Sequence, residues 1–341
     1  MNARNPSIEN LEEILLSLKG ISVGLIGDAI VDEYVFCNPL NKTGKTGNVA
    51  FEPDRSEAYL GGVFAVANHL AEFVDNIRLI TFEGGDSTKL FDTDYPNLLE
   101  NTLNSRISRS FFSNGTATLT KTRYLNKADK NKVEFPICRP KRKIFLSNEN
   151  EQQLMDEIND CLSDFDLVIA ADFGNGLITR DIASYLSHLD KYLSVNCQTN
   201  SGNRGFNYIT KYSRANFVSL NRSEIQLAYQ DEDTPIRDLI QRLSGDLQGS
   251  RIIQTSGSTG STYYDGENFY SANSIKNTNV DPVGAGDALF ALTSLLTYKG
   301  VDPNLIPELG NTMGSISTGR LGNKKPIGPR EVLDYLKSKQ E

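Results

Sequence analysis

Ile21-Ser-Val-Gly-Leu-Ile-Gly-Asp28 is a short apolar run that closes on Gly-Asp, the pattern of a buried strand whose carboxyl end delivers an acid to the edge of a sheet. Working outward, Gly61-Gly-Val-Phe-Ala-Val-Ala-Asn-His-Leu-Ala-Glu-Phe73 carries apolar residues at helical spacing behind two glycines, and Ile77-Arg-Leu-Ile-Thr-Phe82 follows as a strand. The alternation returns after Glu149, with a helix through Asp160, the strand Leu167-Val-Ile-Ala-Ala171 ending at Asp172, a helix near 181–189, and short strands near Leu193 and Phe217. Ile252-Ile-Gln-Thr255, a hairpin around Asp265-Gly266 and a helix beginning near Gly284 complete the series. Helices alternating with short buried strands predict a doubly wound α/β sheet. Asp28 and Asp172, at strand ends, become site candidates; the alternative for Asp28 is a turn acid that satisfies backbone donors.

Two stretches interrupt the alternation. Residues 34–59 are polar and rich in Gly, Asn and Lys, and read as a loop or small β excursion; Thr116 to Phe135 reads as a second one, in which Thr116 to Leu125 alternates with a period near two. Together they predict a small lid sheet on a single domain spanning 1–341. In 341 residues, 38% are hydrophobic and 23% charged, which excludes a disordered chain, and no apolar stretch reaches the roughly 18 residues of a membrane span. A formal net charge of −8 argues against general nucleic-acid binding. Cys37, Cys138, Cys161 and Cys197 lack the spacing of a thiolate metal cage. The first 20 residues read as an amphipathic helix rather than a signal peptide, so the cytoplasm is the expected compartment.

Asp281-Pro-Val-Gly-Ala-Gly-Asp287 precedes Ala288 to Tyr298, an apolar helix-forming run ended by Gly300. Small residues at a helix N-terminus let a phosphoryl group approach backbone N–H donors, and the helix dipole favours charge there. Gly284, Ala285 and Gly286 are therefore candidates for an anion hole, and Asp287 for the base that takes the proton of an attacking hydroxyl. The plain alternative is a tight turn with Asp287 as a helix cap.

The segment resembles the D-x-x-G-A-G-D signature of the ribokinase-like (PfkB) carbohydrate kinases. Gly27-Asp28 with Asp32, Gly61-Gly62 and Asn221-Arg-Ser-Glu224 follow in the order that family requires. The resemblance implies a three-layer, ribokinase-like sheet with a β lid, and transfer of the γ-phosphoryl group of ATP to a sugar or sugar phosphate. By position it assigns Asp28, Asp32, Gly61 and Gly62 to the sugar pocket. Asn221 and Glu224 are similar to an element that organises Mg²⁺ and phosphate, Glu224 acting through water, in keeping with a cation that retains several waters; a helix cap followed by a surface Glu is the alternative. Thr255 and Gly257 resemble a loop beside the nucleotide, although a hairpin loop has the same look.

Within the family, Gly27 to Tyr34, Thr120-Lys-Thr-Arg123 and Asp172-Phe-Gly-Asn-Gly-Leu177 resemble the heptose-phosphate kinase branch. Lys121 and Arg123 alternate onto one strand face, and either bind a phosphate on the sugar or form a solvated lid face. The chain departs from the family pattern at Ala65 and Val66, where a sugar-contacting asparagine is usual and Asn68 comes only later. It departs again at Val195-Asn-Cys-Gln-Thr-Asn200, which replaces an Asp-Pro-Lys segment with amides. The two histidines, His69 and His188, cannot form the H-x-G-H signature of the nucleotidyltransferase to which some such kinases are fused. The resemblance further implies a homodimer joined through the lid. The competing expectations are a nucleoside or other small-alcohol kinase of the same fold, and a noncatalytic sugar-binding protein.

Overall fold

The computed structural model describes residues 8–113, 115–139, 147–162, 164–200, 202–203, 205–275 and 280–340. In chain order the first half contains α1 (Ile8–Leu16), β1 (Ser22–Gly27), β2 (Ala29–Lys42), β3 (Val49–Gly62), α2 (Val63–Leu70), β4 (Asn76–Phe82), α3 (Tyr95–Thr102), β5 (Ile107–Phe112), β6 (Leu119–Asn126) and β7 (Lys132–Arg139). The second half adds α4 (Asn148–Leu162), β8 (Leu167–Asp172), α5 (Arg180–His188), β9 (Tyr192–Cys197), β10 (Phe217–Asn221), α6 (Arg222–Tyr229), α7 (Ile236–Asp246), β11 (Arg251–Thr255), β12 (Ser261–Tyr264), β13 (Phe269–Ala272), α8 (Ala285–Lys299), α9 (Leu305–Thr318) and α10 (Pro329–Gln340).

Among the described residues, nine strands form one sheet in the order β13-β12-β11-β10-β9-β8-β1-β4-β5. Its pairs are parallel from β5 to β11, and the β12–β13 hairpin continues the edge antiparallel. Alternate residues of one strand feed two cores. Leu167, Ile169 and Ala171 of β8 pack with α2, α8 and α9 on one face, while Val168 and Ala170 pack with α4, α5 and α7 on the other. This is the three-layer α/β arrangement that continuous apolar strands require, since burial on both faces removes the polar alternation. The central helix α8 is buried from Asp287 through Thr297, which explains a run apolar all round its circumference.

A second sheet, ordered β3-β2-β6-β7, stands apart from the first and forms the lid. The excursion at 34–59 is a hairpin of two 14-residue strands. Its length was hidden because the first nine residues of β2 are buried on both faces, so no period of two shows. Among the described residues no helix is long and apolar enough to cross a membrane.

Candidate active site

The 281–287 turn delivers α8 to the middle of the molecule. Gly284 caps the helix at φ +83°, a left-handed conformation that disfavours side chains, and a Cβ there would lie 2.0 Å from Asn323 Oδ1. The first intrahelical bond runs from Ala288 N to Gly284 O at 2.9 Å, so the amides of Gly286 and Asp287 precede the helical ladder. Asp281 folds the turn upon itself: its Oδ1 accepts from Val283 N at 3.0 Å, and its Oδ2 accepts from Gly322 N at 3.0 Å and from the Tyr34 hydroxyl of the lid.

Two cavities meet at this turn, and Pro282 and Gly286 line both. The larger, about 540 Å³, is walled by Asn221, Thr255, Gly257, Ala285, Ile275 and Gly314, and so lies along the ends of β10 and β11 and the faces of α8 and α9. The smaller, about 250 Å³, lies under the lid and is lined by Asp32, Gly62, Lys121, Arg123, Gln198 and Asp287. Asp287 is buried at 8% exposure. Burial pushes its carboxyl up to about 7, the charge of Asp32 adds to the rise, and Lys121 and a 3.1 Å hydrogen bond from Gln198 Nε2 to Oδ1 oppose it. A carboxylate poised near neutrality beside a polar cavity is suited to accept a proton from a hydroxyl.

Arg123 reaches across the lid to Asp32, Nη1 to Oδ1 at 2.7 Å, with both side chains largely buried. Gly61 makes room for this pair, because a Cβ at that position would lie 2.2 Å from Asp32 Oδ2. Gly61 itself is not among the residues lining the smaller cavity; Gly62 is, at φ +58°.

Asp28 and Asp172 are not among the residues that line these two cavities. The Asp28 carboxylate accepts from the backbone N–H groups of Phe173, Asn175 and Leu177, each at 3.1 Å, the turn-acid arrangement. Burial, with the nearby charge of Asp172, raises its pKa to about 6. Asp172 is fully buried and is bound by Lys211 Nζ at 2.6 Å, Tyr212 OH at 3.0 Å, Asn207 Nδ2 at 3.2 Å and Gly174 N at 3.1 Å. Both acids brace the 173–177 loop, and Phe173 of that loop does line the smaller cavity.

Asn221 and Glu224 form a capping box at the start of α6: Asn221 Oδ1 accepts from Glu224 N at 2.9 Å and Glu224 Oε2 from Asn221 N at 2.8 Å. Glu224 is buried rather than on the surface, its Oε1 also accepts from Thr199 N at 3.2 Å, and burial lifts its pKa to about 7 with a contribution from Asp287. Asn221 lines the larger cavity, whereas Glu224 is not among its lining residues. Among the described residues no group of three or more His, Cys, Asp or Glu could hold a metal ion. This donor set fits only a cation carried mainly by phosphates and water. Gln198, Tyr34 and Phe173 are site residues that sequence reasoning did not assign; the amide-rich 195–200 stretch was the sole signal for Gln198.

Residues 143–327 match the family model described as pfkB family carbohydrate kinase, more than half of the chain. The chain belongs to this family. This PfkB protein is accordingly a phosphotransferase with an alcohol group as acceptor. It is 24% identical over 349 residues to the bifunctional protein HldE of Koribacter versatilis, and 24% identical over 323 residues to the HldE of Desulfatibacillum aliphaticivorans. These alignments cover 96% and 92% of the chain but 66% and 63% of the relatives, just short of two thirds of their length. In fold it is similar to Escherichia coli phosphofructokinase-2 (TM-score 0.73, 14% identity, 94% of this chain and 100% of that one). The ribokinase of Thermotoga maritima is also similar (TM-score 0.66, 15% identity, 93% and 99%).

Proposed function

We propose that the chain transfers the γ-phosphoryl group of ATP to a hydroxyl of a sugar or sugar phosphate, with Asp287 as the base. The observation that carries this reading is the position of Asp287, near-neutral in pKa, on the turn where the two cavities meet. The larger cavity would take the nucleotide and the smaller one the acceptor. The acceptor oxygen forms its bond to the γ-phosphorus as the bond to the β–γ bridging oxygen breaks; ADP leaves with that electron pair, and the hydroxyl proton passes to Asp287. The amides of Gly286 and Asp287, at the positive end of α8, would meet the charge on the transferring group. Mg²⁺, when bound, would neutralise phosphate charge, and Glu224 would hold it through water.

For the acceptor, the HldE relatives make a heptose phosphate the first candidate. Arg123 is engaged by Asp32, so Lys121, which has no salt bridge among the described residues, is the side chain to meet a phosphate on the sugar. A panel of hexoses and heptoses and their 1- and 7-phosphates, assayed by ADP release with Mg²⁺, tests the reading. Phosphorylation of a member, abolished by chelation, supports it; binding without turnover across the panel would overturn the assignment of these acceptors. The homodimer belongs to the same proposal, since Val133, Phe135 and Ile137 present an exposed apolar stripe on β7. Sedimentation of Phe135→Lys, expected to be monomeric, checks it.

A further inference from the structure

Tyr34 lies between the acceptor-binding face of the lid and the turn that opens α8. It sits two residues from Asp32 on β2, is 1% exposed, and donates its hydroxyl proton to Asp281 Oδ2. Its ring is fixed on every side. Tyr59 meets it edge-on with centroids 5.8 Å apart, the Arg123 guanidinium lies 5.3 Å from its centroid, and a Cβ on Gly322 would lie 3.1 Å from its Cε2. Asp281 is 7% exposed, and its remaining contacts are the amides of Val283 and Gly322. The lid strand, the 281–287 turn and the segment at Gly322 thus converge on one carboxylate.

We infer that Tyr34 is a positioning residue, acting through Asp281, that holds the 281–287 turn in its phosphoryl-transfer geometry. The inference rests on the phosphoryl-transfer reading of that turn. Asp32 and Arg123 hold each other and face the smaller cavity, and Arg123 also lies near the Tyr34 ring. Asp281 in turn fixes the Val283 amide, three residues ahead of Gly286.

Tyr34→Phe removes the hydroxyl and leaves the ring packing. Hydrogen exchange of the 283–287 amides should accelerate about tenfold or more. kcat should fall about 10- to 100-fold, the range for one hydrogen bond to a charged acceptor. The affinity for a non-hydrolysable ATP analogue should stay within about twofold, because that cavity does not include Tyr34. Asp281→Asn supplies the control that a merely structural role would not satisfy: if Tyr34 acts through Asp281, adding Tyr34→Phe to Asp281→Asn lowers kcat by less than about twofold more. Unchanged exchange, or two losses that multiply, would overturn the inference. If the wild type phosphorylates no acceptor, the phosphoryl-transfer reading is what fails, and the exchange measurement still decides whether Tyr34 governs the turn.

Discussion

Gln198→Ala isolates the tuning of Asp287. The side chain donates one hydrogen bond, Nε2 to Oδ1 at 3.1 Å, to a carboxylate whose pKa stands at about 7 because burial and Asp32 raise it while Lys121 and Gln198 hold it down. A hydrogen bond to a charged group contributes roughly 1.5–3 kcal/mol, and about 1.4 kcal/mol corresponds to one pKa unit. Gln198 is partly exposed, so water recovers some of the loss, and a rise of about one unit is expected. Half of the wild-type enzyme is ionised at pH 7; in the variant the fraction drops to about a tenth. kcat/KM should therefore fall about fivefold at pH 7 and by less than about twofold at pH 9, with the acid limb displaced upward. The measurement is a pH–rate profile of kcat/KM from pH 5.5 to 9.5 for both proteins. A loss of the same size at every pH, with the limb unmoved, would refute the reasoning and make Gln198 a substrate contact instead.

Asp287→Asn should lower kcat by about 10²- to 10⁴-fold while leaving nucleotide binding intact, which single-turnover and calorimetric measurements can separate. It should also raise the melting temperature by a few degrees at pH 8, by less at pH 5, and not at about pH 3. The folded pKa, about 7, exceeds the ordinary 3.8, so the stability linked to this group is complete below the unfolded value and is lost as pH rises through 7. A melting temperature unchanged at pH 8 counts against a buried, ionising carboxylate. Gly61→Ala places a Cβ 2.2 Å from Asp32 Oδ2 and must displace the Asp32–Arg123 pair; KM for the acceptor should rise about tenfold or more, with KM for ATP unaltered. Equal effects on both constants would show a general loss of fold. Lys211→Met leaves Asp172 without its cationic partner beside Asp28, and urea denaturation should report a loss of about 3 kcal/mol. A change below about 1 kcal/mol would mean that Tyr212, Asn207 and Gly174 suffice.

The fold was legible wherever burial is one-sided in type. β1, β4 and β8 are unbroken apolar runs, α2 carries helical spacing, and α8 is bounded by two glycines in left-handed conformation, Gly284 and Gly300. The 281–287 turn and the Asn221–Glu224 element were equally legible, because backbone geometry dictates their small and capping residues. What sequence could not distinguish is the direction in which a strand-end acid points. Asp28 and Asp172 occupy the ends of β1 and β8 as expected, yet both face a neighbouring loop. That choice is made by Lys211, Tyr212 and the amides of 173–177, which lie far away in the chain. Arg123 shows the same limit. Its alternation placed it on the cavity face with Lys121, but not its pairing with Asp32 across two strands of the lid.

The division of labour between the two sheets has an evolutionary consequence. Asp32, Lys121 and Arg123 ride on β2 and β6, which share no ladder with the nine-stranded sheet, whereas Asn221 and Thr255 end two of that sheet's own parallel strands. Under the proposed function, substitutions that reshape what the lid strands recognise need not disturb the residues assigned to phosphate. Lineages carrying this architecture can drift from one alcohol to another while inheriting the transfer step unchanged, and an engineer seeking a new acceptor can confine a library to a few alternate positions on two strands.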